Sequence, residues 1–107
     1  GAAAMAAAAE AAAKAAASMV AFVGSLDGGF IYQQLCGACH TSGAAGAPKL
    51  VQADWTNRIP QGVDTLIKHA IEGYQGEAGI MPARGGNPSL SDAQVEASVR
   101  WMLDNLQ

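Results

Sequence analysis

Both cysteines of the chain and one of its two histidines fall in a single five-residue run, Cys36-Gly37-Ala38-Cys39-His40. Two thiols one helical turn apart, followed at once by an imidazole, form the attachment signature for c-type haem. Each thiol can add to a porphyrin vinyl group, and the imidazole then falls beneath the iron. A group of that size would occupy the middle of any small domain, so this run constrains the fold more than any other stretch. Three other readings compete. A thioredoxin-like dithiol belongs to a strand–helix junction, a context missing here. A structural zinc site takes four Cys or His ligands, and His69 alone is left to supplement the run. A Cys36–Cys39 disulfide would close a very small loop and leave His40 unexplained.

The rest of the composition agrees with an interior partly supplied by a cofactor. Fourteen of the 24 alanines lie in the first 24 positions, which inflates the 50% apolar content. Residues 25–107 number 83 and carry five Lys or Arg and eight Asp or Glu, so the net charge of −3 belongs to them. One small domain of that length buries only about 60% of its unfolded surface and is marginal without a disulfide, metal or cofactor. Six aromatics and thirteen glycines give little to build a core from. There is no basic stripe for nucleic acid and no polybasic membrane patch.

The alanine-rich stretch, residues 1–24, favours helix intrinsically, with Glu10 and Lys14 at the favourable i,i+4 order. It reads as a linker, a tag or the remnant of a membrane anchor. Glu10, Lys14 and Ser18 interrupt the roughly 20 apolar residues that a spanning helix needs. From residue 25 the pattern is helical throughout. Phe30, Ile31, Tyr32 and Leu35 form one apolar face, and Trp55–Ile59 a short turn stopped by Pro60. Val63, Leu66, Ile67 and Ala70 form a stripe ended by Gly73. The last helix opens at Ser91 with Gln94 three residues on, a capping box, and its stripe is Val95, Val99, Met102, Leu103 and Leu106. No strand-like alternation appears, so the expected fold is all-α.

A haem bound by His40 has a second axial position. Met5 and Met19 sit in the alanine-rich stretch, Met102 lies on an apolar stripe where methionine is usually core filler, and His69 is at the edge of another. Met81 stands in an irregular loop before Pro82, which stiffens it, and such a residue can bring its thioether to iron without distorting a helix. The expected ligand is therefore Met81, and His/Met ligation raises the haem potential.

Cys36–His40, Gly46–Pro48, Asp54-Trp55 with Arg58, Met81-Pro82, Gly85-Gly86 and Leu90-Ser91-Asp92 together resemble the bacterial class I c-type cytochromes, the cytochrome c5 group most of all. The resemblance covers residues 28–107 and does not reach the alanine-rich stretch. It implies three main helices around one covalent haem c, with that stretch as an N-terminal helical extension. It further implies that Pro48 offers its carbonyl to His40 Nδ1–H, that Trp55 and Arg58 meet the haem propionates, and that Gly28 and Tyr32 meet Trp101 where the first and last helices cross. Bland alternatives stand beside these: Trp55 as plain core, and Trp101 exposed by its periodicity. Some relatives carry a cysteine pair near the last helix; none surrounds Asn87 here, so the Ile80–Ser89 loop has no disulfide tether.

The function this implies is one-electron carriage without substrate chemistry. Covalent attachment points to the periplasm, with residues 1–24 leading to a membrane anchor or another domain. The implied partners are redox proteins: a membrane oxidase, a reductase or a quinol-oxidising complex. Residues flanking both ligands are uncharged, so docking should be mainly apolar, with Glu77 and the other acids placed away from it. An open-site peroxidase or gas sensor, and a haem-free zinc module, are the rival readings.

Overall fold

A computed structural model describes residues 21–107. Residues 1–20, with the expected Glu10–Lys14 helical pair, Met5 and Met19, lie outside the described residues. Over the last part of the expected helical extension the backbone is instead a 3-10 turn, Ala21–Gly24, in which Phe22 and Val23 are left-handed. The alanine run has ended there, and the turn lays the Phe22 ring edge-on against Phe30 at 5.6 Å.

Asp27 starts the first helix, its carboxylate accepting from the Phe30 N–H at 3.1 Å and satisfying one of the free donors of the first turn. Helix α1 spans residues 28–40 in three pieces: α-helical Gly28–Ile31, a π-helical turn Tyr32–Cys36, and α-helical Gly37–His40. Single π turns inside α-helices occur mostly at functional sites, and this one ends on the first cysteine. Ile31 and Tyr32 are buried, whereas Phe30, expected on the same face, is 43% exposed.

The helical turn expected over Trp55–Ile59 is displaced. Helix α2 is Gln52–Trp55, and Pro60 sits within a 3-10 turn, Ile59–Gln61. Proline has no N–H to lose at the start of a turn, so it opens this one instead of ending a helix. Helix α3, Val63–Glu72, buries Leu66, Ile67 and Ala70. After it comes an antiparallel pair that an all-α reading omits, β1 Tyr74–Gln75 with β2 Ile80–Met81, Tyr74 lying opposite Met81. Strands of two residues are too short to show alternation. A further 3-10 turn, Ala83–Gly86, leads to helix α4, Asp92–Asp104, which has both bonds of the Ser91–Gln94 capping box.

Helices α1 and α4 cross in contact because α1 begins with two glycines. A Cβ at Gly28 would stand 2.1 Å from the Ala97 carbonyl oxygen, and one at Gly29 2.7 Å from Trp101 Nε1. Tyr32 lies against the half-buried Trp101 at 4.8 Å. Helix α3 packs on α4 and on the Ala83–Gly86 turn. The chain end is tied in by backbone bonds, Gln107 N–H to the Leu50 carbonyl and Gln52 N–H to the Gln107 carbonyl, at 3.0 and 2.9 Å. Of the buried apolar side chains, Trp55, Leu66, Ala70, Val99 and Met102 line a cavity. The described part of the chain is the expected all-α class, with a minimal hairpin added.

Candidate cofactor site

The cavity has a volume of about 580 Å³, within the range of sites that enclose a sizeable organic ligand. Cys36, Cys39, His40, Pro48, Trp55, Arg58 and Met81 all line it. Seven positions spread over 46 residues of sequence are thus brought to one wall system by α1, α2, β2 and the loops on either side of α2.

His40 closes α1 and is only 7% exposed. Its Nδ1 is 2.8 Å from the Pro48 carbonyl oxygen. A carbonyl can only accept, so Nδ1 carries the proton and Nε2 keeps its lone pair. Among the described residues, nothing hydrogen-bonds to Nε2. Burial pushes the His40 pKa below the ordinary 6.5; the Pro48 bond opposes this, and the nearby Arg58 charge adds to it. At neutral pH the ring is therefore uncharged and oriented, the state in which imidazole binds metal.

The Pro48 carbonyl is itself held in place. Lys49 N–H donates to Asp54 Oδ2 at 2.9 Å, and Trp55 Nε1–H donates to the Lys49 carbonyl at 2.7 Å. That bond takes up the single N–H of the indole, so in this structure it is not directed to a carboxylate. Arg58 Nη1 donates to the Asp54 carbonyl, and its remaining N–H groups are available at the cavity, where they suit carboxylates.

Both cysteines are half-buried. Cys36 Sγ is 3.2 Å from Ser98 Oγ. Burial pushes the Cys36 thiol above its ordinary pKa, with the Ser98 hydrogen bond opposing. Ser98 is 2% exposed on the buried face of α4. A polar residue amid the Val95, Val99 and Met102 stripe was the available sign of it, and sequence reasoning passed over it. Met81 is half-buried, its backbone set by the Tyr74 pairing. Met102 and His69 line the cavity as well; Met102 is 4% exposed in α4, and the His69 ring stacks on Tyr74 at 4.2 Å. The Ala44–Gly46 turn meets the tip of the β-hairpin backbone to backbone. A Cβ at Gly46 would lie 1.8 Å from the Ala78 carbonyl oxygen, and one at Gly79 2.1 Å from that of Ala45.

A covalent haem requires two thiols a turn apart, an imidazole nitrogen with a free lone pair, apolar walls and a cation for its carboxylates. The donor set of this cavity supplies each, so the residues fit the group. A zinc site is not supported: among the described residues, no three His, Cys, Asp or Glu side chains stand together as metal ligands.

Residues 26–102 match the protein family described as cytochrome C oxidase, cbb3-type, subunit III. Cytochrome c-555 of Chlorobaculum tepidum is 48% identical over 73 residues, covering 67% of this chain and 68% of that protein. Cytochrome c-555 of Prosthecochloris aestuarii is 41% identical over 85 residues, covering 75% and 86%. Cytochrome c5 of Ectopseudomonas mendocina is 33% identical over 70 residues, covering 63% and 76%. A chain from a crystal structure of an electron transfer complex of nitrite reductase with cytochrome c superposes with a TM-score of 0.66 at 35% identity, covering 76% of this chain and 95% of that one. The chain belongs to this family and, with it, to the class I c-type cytochromes, which carry haem c covalently and serve electron transport.

Proposed function

We propose that the chain shuttles single electrons between redox proteins in the periplasm, with His40 and Met81 as the axial ligands of its haem. One observation carries this reading: the His40 ring has Nδ1 fixed by Pro48 and Nε2 without a partner, on the wall of a cavity that Met81 also lines. When bound, haem c supplies an iron that changes between ferric and ferrous states. Cys36 and Cys39 hold the porphyrin by thioethers, Pro48 fixes the imidazole tautomer, Trp55 fixes the adjoining Lys49 peptide, and Arg58 faces the carboxylates. With both axial positions taken by side chains, no position is left for a substrate, which is the basis for reading a carrier and not an enzyme.

The partners are other redox proteins, a membrane oxidase, reductase or quinol-oxidising complex. The nitrite reductase complex of the structural relative supports that class of partner. Docking falls on the rim of the cavity, where Ala44, Ala45, Tyr74, Ile80 and Pro82 are exposed and uncharged. Glu77 is a correction to the expected charge map: it sits in the hairpin and lines the cavity, placing one carboxylate at this rim. Residues 25–107 are the haem domain and residues 1–24 a connection to an anchor or neighbour. Across that boundary the Phe22 ring packs edge-on against Phe30. Among the described residues, no helix is long and apolar enough to cross a membrane.

Replacing Met81 tests the ligand assignment. Met81→Ala should abolish the far-red absorption band that marks a thioether on ferric haem, admit carbon monoxide to the ferrous protein and lower the potential. His69→Ala should do none of these. A Met81→Ala protein with an unchanged spectrum would overturn the assignment.

A further inference from the structure

We infer that Arg84 is the positioning residue that holds the Met81 loop against α4 and thereby keeps Met81 at the haem; this rests on Met81 being the axial ligand. The segment after Met81 leaves the hairpin through Pro82 and turns with Arg84 in the left-handed region, at φ 55, a conformation that costs a non-glycine residue energy. Its compensation is in the side chain. Arg84 Nη1–H donates to the Leu90 carbonyl at 2.8 Å, and Nη2–H donates to Asp92 Oδ1 at 2.5 Å. One planar fork therefore grips two acceptors at the entrance of α4, where Leu90 is buried and Asp92 opens the helix.

The other hydrogen bonds of residues 82–89 are local. Gly85 N–H reaches Pro82, Asn87 N–H reaches Arg84, and Ser89 N–H reaches the Asn87 side chain. Among the described residues, no other side chain of this stretch bonds outside it. Neither cysteine lies in the loop, so this fork does the tethering that a disulfide would otherwise do. Arg84 also lines a small pocket together with Cys36, His40, Met81 and Met102, four residues that line the main cavity as well. A loop released from α4 would take Met81 with it.

Glycine accepts the left-handed backbone but has no fork, and lysine offers one nitrogen where the fork uses two. The test uses the holoprotein with Arg84→Gly and Arg84→Lys, and measures imidazole binding to the ferric form and amide exchange over residues 82–89. Arg84→Gly should bind imidazole about tenfold more tightly, as expected when charge-assisted bonds no longer favour the closed loop. It should also exchange faster, with Arg84→Lys intermediate in both. Exchange at the wild-type rate in Arg84→Gly would overturn the inference. Faster exchange with unchanged imidazole affinity would overturn the link to Met81. A wild-type protein lacking the far-red band would instead refute Met81 ligation, and the exchange comparison would then still decide whether Arg84 holds the loop.

Discussion

His40 shows how much chemistry one side chain can inherit from its surroundings. Its position after two spaced cysteines was legible in sequence, but its neutrality follows from burial, and its orientation from a carbonyl eight residues on. The lowered pKa has a definite sign. Above the ordinary value of 6.5 the ring is neutral whether the chain is folded or not. As pH falls, the unfolded chain takes up the proton first, so stability is lost until pH passes below the folded value. An iron held at Nε2, as proposed above, would act in the same direction, because it would compete with the same proton. Denaturant unfolding of the holoprotein should thus give a free energy that is flat from about pH 8 to 6.5 and declines below it. A rise on the acid side would contradict a buried, neutral His40. Ser98 and Arg84 were harder to read, because what they do depends on partners 62 positions upstream and 6 to 8 positions downstream.

Among the elements, those with local causes were the legible ones. The Ser91 capping box and the α3 stripe are short-range patterns, and both stand where the sequence placed them. The π turn in α1, the two-residue strands and the role of Pro60 depend on what packs around them, so periodicity carried no sign of them. The α1–α4 crossing lies between these cases. Gly28 pointed to a close approach to Trp101, and a Cβ there would stand 3.0 Å from the Trp101 Cβ as well as against the Ala97 carbonyl; Gly29, which the sequence did not single out, faces the Trp101 ring itself. Gly28→Ala must push the helices apart or bend one of them, an overpacking cost of about 1–3 kcal/mol. In a domain of this size that lowers the melting temperature by roughly 5–15 °C. Thermal unfolding of the variant checks this, and an unchanged midpoint would mean that the crossing yields easily.

For the molecule as a whole, scarcity of core was the early sign and the cavity is its counterpart. A small set of buried apolar side chains is arranged around about 580 Å³ instead of closing on itself, and a haem bound there supplies the missing interior. The residues proposed to hold it come from separate parts of the chain, so only the five-residue run was legible as a unit; it took the fold to bring Pro48, Trp55, Arg58 and Met81 to the same cavity. Carriage of single electrons by a haem with two protein ligands is the central claim, and an optically monitored potentiometric titration of the purified protein tests it most directly. The account predicts one reversible one-electron transition, with the far-red thioether band growing in as the protein is oxidised. A ferric spectrum without that band, or no haem remaining attached after acid extraction of the titrated protein, would contradict it.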